Sequence, residues 1–294
     1  MIIITGGNSR ISKYIKNAIP EARTMGINNC EIKTEYLEED LKAQLKDAKV
    51  IIHTVGKVFG SYEELYEANY IILERVLASM PPDCQFIYIS SISVYGKNIQ
   101  GKCDEGTRLN PDTNYAKTKV LAERLIMEKA KNYVILRPGP IFGTIYHDYF
   151  KMIDYVVRGK AGIIGTGENF IPFAYAYDVA NAVRLSIEKN ARGIFVICSK
   201  PIRQKECFEA IAHELGISKI SKISPIAAFF YSTYSEYISK GYFNYERLNI
   251  LTKNRVFNTK KAETELGFKP SDPKEGIREM ALFYKSGGKY GKDI

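Results

Sequence analysis

Residues 1–12 read MIIITGGNSRIS, and this stretch decides the fold. Three consecutive isoleucines form the pattern of a short buried strand, two glycines follow, and apolar residues at Ile11, Ile15 and Ala18 predict an amphipathic helix. A strand, a glycine turn and a helix in this order can direct backbone N–H groups at a pyrophosphate. We therefore predict a dinucleotide phosphate loop, with a plain strand-turn-helix as the alternative.

The loop is a weakened form of the three-glycine fingerprint. Ser9 and Ser12 occupy the second and third glycine places, and serine is the next smallest residue that also donates a hydrogen bond. The side chains and backbone expected to contact the cofactor here are those of Thr5, Gly6, Gly7, Ser9, Arg10 and Ile11.

Short apolar runs alternate with amphipathic stretches through the first two thirds of the chain, which is typical of β-α-β units and a parallel sheet. Strands are predicted at residues 2–5, 22–24, 50–53, 85–90, 133–137 and 194–197, and helices at 9–18, 39–46, 62–79, 114–131, 149–159 and 178–189. The fold class predicted is α/β, a doubly wound Rossmann sheet with a smaller, mainly helical C-terminal lobe. We assign residues 1–143 and 171–200 to the dinucleotide-binding domain and 144–170 and 201–294 to the substrate lobe.

Composition narrows the class of protein. The chain has 294 residues, 45% hydrophobic and 26% charged, which is typical of a globular protein, and no apolar run approaches the length of a membrane span. The N-terminus begins directly with a strand, so we expect a cytoplasmic protein with no membrane partner. Five scattered cysteines and three histidines lack ligand spacing and predict no metal site. The net charge of +9 is spread along the chain, so a nucleic-acid partner is not expected.

The segment PEARTMG, residues 20–26, follows the first helix. NAD sites place an acidic residue at the end of the second strand, about 20 residues beyond the glycines, to hold the ribose hydroxyls. We place Arg23 at that position, where a guanidinium suits a 2′-phosphate and Arg10 could add to it. This favours NADP as the cofactor, with NAD as the alternative and ordinary surface charges as the simpler explanation.

The segment NYAKTK, residues 114–119, contains the spacing that carries acid-base chemistry. Side chains four apart share a helix face, so Tyr115 should meet Lys119 and not Lys117. A phenol with a pKa near 10 needs a nearby cation to act as a base at neutral pH. Ser90 and Ser91 end the preceding strand at the same sheet edge, so Ser91 could bind the substrate oxygen while Tyr115 passes the proton.

These segments together resemble the extended short-chain dehydrogenases/reductases, the NAD-dependent epimerase/dehydratase family. The resemblance extends over nearly the whole chain and rests on VIIHTVGKV (50–58), YEANYIILERVL (66–77), SSISVYG (90–96), NPDTNYAKTK (110–119), LRPGPIFG (136–143), AYAYDVANAV (174–183) and KKAETELGFKP (260–270). It implies a catalytic set of Ser91, Tyr115 and Lys119. It also implies cofactor contacts at Thr54, Val55, Asn69, Ser90, Tyr115, Lys119 and Pro138, and substrate contacts at Ser91, Ser93, Gly139 and Phe173.

Departures from the family pattern narrow the expected reaction. The sugar dehydratases carry an Asp-Glu pair directly after the catalytic serine or threonine, where this chain has Ile92 and Ser93, so dehydration is disfavoured. Nucleotide-sugar epimerases hold the diphosphate with an asparagine and an arginine, where this chain has Pro140 and Ile171. The substrate is therefore expected to be hydroxysteroid-like and less charged, or a sugar held differently.

The C-terminal run IAAFFYSTYSEYISKGYF, residues 226–243, is rich in aromatic residues. We interpret it as core, with an apolar substrate pocket or a partner chain as alternatives. A membrane-surface role is a further alternative, although the run shows no clear amphipathic pattern.

Two functions follow. The first is an NAD(P)-dependent oxidoreductase or epimerase acting on a secondary alcohol or ketone, as a homodimer paired through residues 62–79 and 114–131. The second is a non-catalytic dinucleotide sensor or RNA-associated scaffold.

Overall fold

The structure, a computed structural model, describes residues 1–99, 101–235 and 245–287. The strands are β1 Ile2–Thr5, β2 Arg23–Gly26, β3 Ile32–Lys33, β4 Val50–His53, β5 Gln85–Ile89, β6 Lys102–Cys103, β7 Tyr133–Pro138, β8 Ile141–Phe142, β9 Gly162–Ile164, β10 Phe170–Ile171, β11 Ala174–Tyr175, β12 Gly193–Ile197, β13 Ile202–Arg203, β14 Ser221–Ile223 and β15 Val256–Phe257. The helices are α1 Arg10–Ala18, α2 Glu38–Leu45, α3 Tyr62–Tyr66, α4 Ile72–Ser79, α5 Asn114–Lys129, α6 His147–Val157, α7 Ala176–Glu188, α8 Gln204–Leu215, α9 Pro225–Tyr234, α10 Tyr245–Thr252 and α11 Pro273–Lys285.

The central sheet has seven parallel strands in the order β3-β2-β1-β4-β5-β7-β12. The strand order reverses between β1 and β4, which is the position where open α/β sheets bind ligands. The predicted α/β fold is confirmed. Strand β3 was not predicted because it has only two residues, too few to show a period.

Helices cover both faces of this sheet because its strands are apolar on both sides. Helices α1 and α7 pack on one face, around Ile4, Ile52 and Leu136. Helices α2, α4 and α5 cover the other face, around Ile3 and Phe86.

The later part of the chain forms its own hydrophobic cluster. Helices α6, α8 and α11 pack together, with Phe150, Phe208 and Met280 in the centre. Short two-stranded pairings, β9 with β14 and β10 with β13, join its segments. Over the residues that the structure describes, no helix combines the length and hydropathy needed to cross a bilayer.

Candidate active site

The first two glycines of the phosphate loop are required by close backbone approach. A Cβ on Gly6 would lie 2.7 Å from the Val55 backbone nitrogen, and the Gly6 φ of +76° disfavours any side chain. A Cβ on Gly7 would lie 2.7 Å from Cys30 Sγ. The loop is therefore held tightly between β2 and β4 at the start of α1, a geometry that fits a dinucleotide pyrophosphate.

The two serines replace the missing glycines with a hydroxyl cluster. Ser9 is the N-cap of α1, and its Oγ lies 2.9 Å from Thr54 Oγ1. Ser12 Oγ lies 2.8 Å from the same Thr54 oxygen and donates to the Gly6 carbonyl at 2.7 Å. These hydroxyls bind one another and the loop backbone, so they tie the loop to the end of β4.

Thr5 does not face the cofactor cleft. Its side chain is fully buried, and its Oγ1 lies 2.8 Å from Nδ1 of the buried His53. Burial, helped by the positive charge of Lys119, lowers the pKa of His53 to about 3, so this imidazole stays neutral. The expectation of a cofactor contact from the Thr5 side chain is corrected to a contact within the sheet.

Arg23 is also placed wrongly by the sequence prediction. It is the first residue of β2 and pairs in register with Ile3, whereas the carboxyl end of the strand is Gly26. Three residues of strand span about 10 Å. The guanidinium lies 3.7 Å from Glu31 and contacts Met1, so it cannot serve as the ribose-phosphate contact at the cofactor edge.

Arg10 reaches from the phosphate loop toward the C-terminal part of the chain. Its Nη1 lies 3.2 Å from Asp148 Oδ2 at the start of α6, and its guanidinium lies 5.8 Å from the Tyr146 ring centroid. Arg247 of α10 lies 4.0 Å from the same carboxylate oxygen. The ion pair therefore links the loop to both α6 and α10.

Tyr115 and Lys119 lie on one face of α5. Thr113 caps this helix by accepting a hydrogen bond from the Ala116 amide, which fixes its first turn. Lys119 is 4% exposed, with its ammonium 5.8 Å from the Tyr115 ring centroid, whereas Lys117 is exposed. The helix thus presents one lysine to the tyrosine and the other to solvent.

The Lys119 ammonium also contacts β5. Its Nζ donates to the Tyr88 hydroxyl at 3.0 Å and to the Ile89 carbonyl at 3.0 Å. Burial lowers the pKa of Lys119 to about 8, against the opposing effect of the Glu123 charge. The group is still mainly protonated at neutral pH, and it is a buried cation beside a phenol, which is the arrangement that favours a phenolate.

The serines after β5 have different positions. Ser90 is buried and donates to Glu123 Oε1 at 2.5 Å, so its side chain serves the structure and the predicted cofactor contact is corrected. Ser91 is partly exposed, and its Oγ accepts from the Ser93 amide at 3.1 Å. The buried hydroxyl oxygen of Ser93 has no hydrogen-bond partner among the described residues.

Asn69 connects the loop after β4 to α5 through its side-chain amide. It lies in a π-helical turn, Glu67–Ile71, between α3 and α4, and it is fully buried. Its amide exchanges two hydrogen bonds with the Lys57 backbone and donates to Thr118 Oγ1 at 3.0 Å. The contact expected with the cofactor is therefore replaced by one that joins the loop after β4 to α5.

The residues predicted to contact cofactor and substrate at the end of β7 and beyond it are buried or required by packing. Pro138 is the last residue of β7 and is buried beside Ile197. A Cβ on Gly139 would lie 1.8 Å from the Pro172 carbonyl oxygen, so this glycine is required by packing. Phe173 is 4% exposed and packs 5.2 Å from Phe142, ring centroid to ring centroid, so it is a core residue and not a pocket wall.

Sequence reasoning missed several residues of the site. The hydroxyl of Tyr36 accepts from the Gly6 amide at 2.7 Å, although it lies 30 residues away. Arg137 forms a fully buried ion pair with Glu123, at 2.6 Å between Nη2 and Oε2. The spacing of four between Lys119 and Glu123 was a usable signal for the second case, because it puts both on the buried face of α5.

The chain matches the NAD dependent epimerase/dehydratase family over residues 5–198. A Methanocaldococcus jannaschii relative named "Putative UDP-glucose 4-epimerase" is 25% identical over 97% of this chain and 99% of its own. An Arabidopsis thaliana 3beta-hydroxysteroid-dehydrogenase/decarboxylase is 29% identical over 84% of this chain and 66% of its own.

Solved structures show the same fold. UDP-glucuronic acid 4-epimerase from Bacillus cereus, in complex with NAD, superposes with a TM-score of 0.76 at 20% identity, over 98% of this chain and 99% of its own. A human epimerase family protein with NADPH gives a TM-score of 0.78 at 14% identity, over 96% and 99%.

Fold and site together define a dinucleotide-dependent enzyme of the extended short-chain dehydrogenase/reductase type. The chain belongs to the NAD-dependent epimerase/dehydratase family. Its cofactor is a nicotinamide dinucleotide, and the enzyme interpretation is confirmed over the non-catalytic alternative. Among the residues that the structure describes, no cluster of metal-binding side chains is present.

Proposed function

We propose that this chain catalyses hydride transfer at a secondary alcohol or ketone carbon, with Tyr115 as the acid-base residue. The observation that carries the proposal is the buried Lys119 ammonium 5.8 Å from the Tyr115 ring centroid. An ammonium in a dry site lowers the free energy of a nearby phenolate far more than it would in water. Tyr115 can then remove the hydroxyl proton of an alcohol, or return it to a carbonyl oxygen.

The cofactor and the other residues of the site have the following roles in this proposal. When bound, the nicotinamide supplies hydride acceptance and donation. Ser91, partly exposed two residues beyond the end of β5, orients the substrate oxygen, and Lys119 also holds the nicotinamide ribose. Gly6, Gly7 and the N-terminus of α1 hold the pyrophosphate.

We propose NADP as the preferred cofactor, with Lys33 in the role first expected of Arg23. Lys33 ends β3 and pairs in register with Gly26, so it lies at the carboxyl edge beside the end of β2, and it is exposed. A cation there can meet the charge of a 2′-phosphate. We expect Lys33→Ala to lower the ratio of kcat/KM for NADP over NAD about tenfold. Arg23→Ala, at the opposite end of the sheet, should leave the ratio unchanged; an effect of Arg23 alone would contradict the assignment.

We propose a substrate less charged than a nucleotide sugar, such as a hydroxysteroid-like alcohol, or a sugar held by other contacts. Ile171 is fully buried in β10, and Pro140 has no polar side chain, so neither supports a diphosphate. The polar side chains that we assign to the substrate oxygen are Ser91, whose Oγ accepts from the Ser93 amide, and Ser93 itself. Relatives with hydroxysteroid and sugar-nucleotide names are compatible with these two substrate classes.

The experiment is a turnover assay with NADP and NAD against a panel of hydroxysteroids and sugar nucleotides. A lasting change in nicotinamide absorbance identifies a dehydrogenase, and conversion of a sugar without such a change identifies an epimerase. Lys119→Met should lower kcat/KM at least about 100-fold, while Lys117→Met on the exposed side of the same helix should stay within about twofold. Equal effects of the two lysines would refute the proposed role of Lys119.

We also propose a homodimer formed through α3, α4 and α5. Tyr62, Tyr66 and Tyr70 stack along this helical stretch with centroid separations of 5.9 and 4.9 Å. Met127 on α5 is 41% exposed. Burying such a face in a two-fold interface removes apolar area from water. Sedimentation equilibrium should give twice the monomer mass, and Tyr66→Glu should shift it to the monomer.

A further inference from the structure

Helix α9 packs with its small side chains inward and its bulky apolar side chains outward. Ala228 and Ser232 are buried, at 3% and 0% exposure. Ile226 and Phe230 are 71% and 68% exposed, and Phe229 is 47% exposed. A helix serving only the core shows the reverse arrangement, since burial of large apolar groups is what stabilises packing.

Four of the exposed residues form a stripe along the helix, and Tyr231, 53% exposed, lies beside it. Ile226, Phe229, Phe230 and Tyr234 follow the i, i+3, i+4, i+8 spacing of a helical stripe, and the Phe229 and Phe230 rings contact edge to face. We call these four residues the aromatic face of α9. The interpretation of this run as core is therefore wrong for its bulky residues, and residues 236–243 of the run lie outside the described part of the chain.

The helix is anchored firmly enough to present that face. Ala228 packs with Ile164 and Leu248 in a small cluster that joins α9 to β9 and α10. Pro225 at its first turn lies against the turn at Gly165, where a Cβ on the glycine would be 3.3 Å from the proline ring. The inner side of α9 is thus packed against β9 and α10, so the aromatic face has a fixed position.

The segment that leads into α9 is positively charged. Residues 215–235 contain two lysines, Lys219 and Lys222, and no carboxylate. Strand β14, which carries the exposed Lys222, pairs with β9, and Ser221 Oγ donates to the Gly159 carbonyl at 3.0 Å. The exposed Lys160 directly follows Gly159 in the chain, so its backbone lies next to that of β14. An apolar face beside cations complements a bilayer that carries anionic headgroups.

We propose that the aromatic face of α9 docks on the surface of an anionic phospholipid bilayer, with Lys160, Lys219 and Lys222 contacting headgroup phosphates. Phenylalanine and isoleucine side chains enter the boundary between headgroups and acyl chains, while Tyr234 keeps its hydroxyl at the polar level. The contact is peripheral and replaces the expectation that the protein has no membrane partner. It is independent of the reaction proposed above.

The test is co-sedimentation of the full chain with vesicles of phosphatidylcholine alone and of phosphatidylcholine mixed with phosphatidylglycerol. We expect binding to the mixed vesicles that weakens as salt rises. The double variant Phe229→Ser, Phe230→Ser should bind at least about tenfold less, because both anchoring rings are lost. Lys222→Ser should reduce the preference for phosphatidylglycerol.

The matched control is Leu37→Ser, which removes an apolar residue, 53% exposed, that precedes α2 and follows the edge strand β3 of the central sheet. It should bind vesicles like the native chain. Circular dichroism and sedimentation equilibrium of each variant accompany the assay. The proposal is overturned if the native chain does not bind vesicles, or if the double variant binds them equally well. It is also overturned if the only defect of the double variant is a loss of self-association. The assay needs no turnover, so its result is separate from that of the enzymatic proposal.

Discussion

The ammonium of Lys119 donates to the hydroxyl of Tyr88 at 3.0 Å and lies 4.6 Å from the centroid of its ring. Tyr88 is fully buried on β5, and the Lys119 ammonium also lies beside Tyr115. A second phenol thus accepts a hydrogen bond from the cation on which the proposed chemistry depends. Tyr88 is a positioning residue in this account, because it acts on Tyr115 only through Lys119.

Tyr88→Phe tests this positioning role. Loss of the acceptor removes a favourable contact of the charged lysine, so the pKa of Lys119 should fall further below about 8. The alkaline limb of the pH profile of kcat/KM should then move to lower pH, with the maximum rate reduced about tenfold. A purely structural residue would change stability and leave the profile in place. An unchanged pH profile would exclude the role.

Lys119→Met should lose activity and gain stability at neutral pH. Burial lowers the folded-state pKa of Lys119 from 10.5 to about 8, so the folded chain holds an unfavourable charge below pH 8. In the native chain this destabilisation decreases as the pH rises from about 8 to about 10.5. Over this range Lys119 has lost its proton in the folded state but still carries it in the unfolded state. Since one pKa unit is about 1.4 kcal/mol, the substitution should stabilise by about 1 to 3 kcal/mol at pH 7.

Urea denaturation of the native chain and Lys119→Met at pH 7 and pH 10 measures this difference. The gain should be large at pH 7 and mostly absent at pH 10. A gain of the same size at both values would show that packing, and not the buried charge, is responsible.

The buried ion pair of Arg137 and Glu123 should be costly to break. Glu123 accepts from Arg137 twice, at 3.0 and 2.6 Å, and from Ser90, and the two side chains are 2% and 0% exposed. Glu123→Gln leaves the guanidinium buried without its counter-charge, so the free energy of unfolding should fall by about 3 to 5 kcal/mol.

Glu188→Gln provides the comparison, since the Arg184–Glu188 pair is 40% and 49% exposed on α7. Its cost should stay below about 1 kcal/mol in the same denaturation experiment. Similar losses for the two variants would contradict the assignment of Glu123 as a core charge.

The hydroxyl cluster of the phosphate loop should contribute to both folding and cofactor binding. Ser9→Ala removes the N-cap of α1 and the contact with Thr54, which should cost about 1 to 2 kcal/mol. Isothermal titration should show weaker dinucleotide binding, because the loop backbone is less well ordered. Ser61→Ala removes the N-cap of α3 and serves as the control, because it should lower stability by a similar amount without weakening dinucleotide binding. Equal dinucleotide affinity for the two variants would contradict a role of the hydroxyl cluster in cofactor binding.

The sequence predicts the elements of this fold better than the directions of its side chains. Strand β4 has the predicted bounds because Val50–His53 is a continuous buried run between polar segments. The pairing of Lys119 with the face of Tyr115 follows from helix spacing alone. Arg23 was misplaced because β2 begins with a polar pair, Arg23 and Thr24, which resembles the end of a strand more than its start.

Long-range contacts account for the remaining differences. The contact between Tyr88 and Lys119 depends on how α5 crosses β5, which is set by packing between segments 31 residues apart. Phe173 resembles a pocket residue in sequence, but it packs against Phe142 across the short strands beyond β7. The outward face of α9 was unexpected because composition reveals an apolar helix without showing which face the core accepts.

The most direct test of the central claim is the comparison of Tyr115→Phe with the native chain in single-turnover reduction or oxidation of bound dinucleotide, using the best substrate of the panel. The account predicts that Tyr115→Phe binds the dinucleotide with unchanged affinity and loses at least about 1000-fold in the rate of hydride transfer, because only the proton-transfer group is removed. A variant that retains the native rate and pH profile would contradict the account.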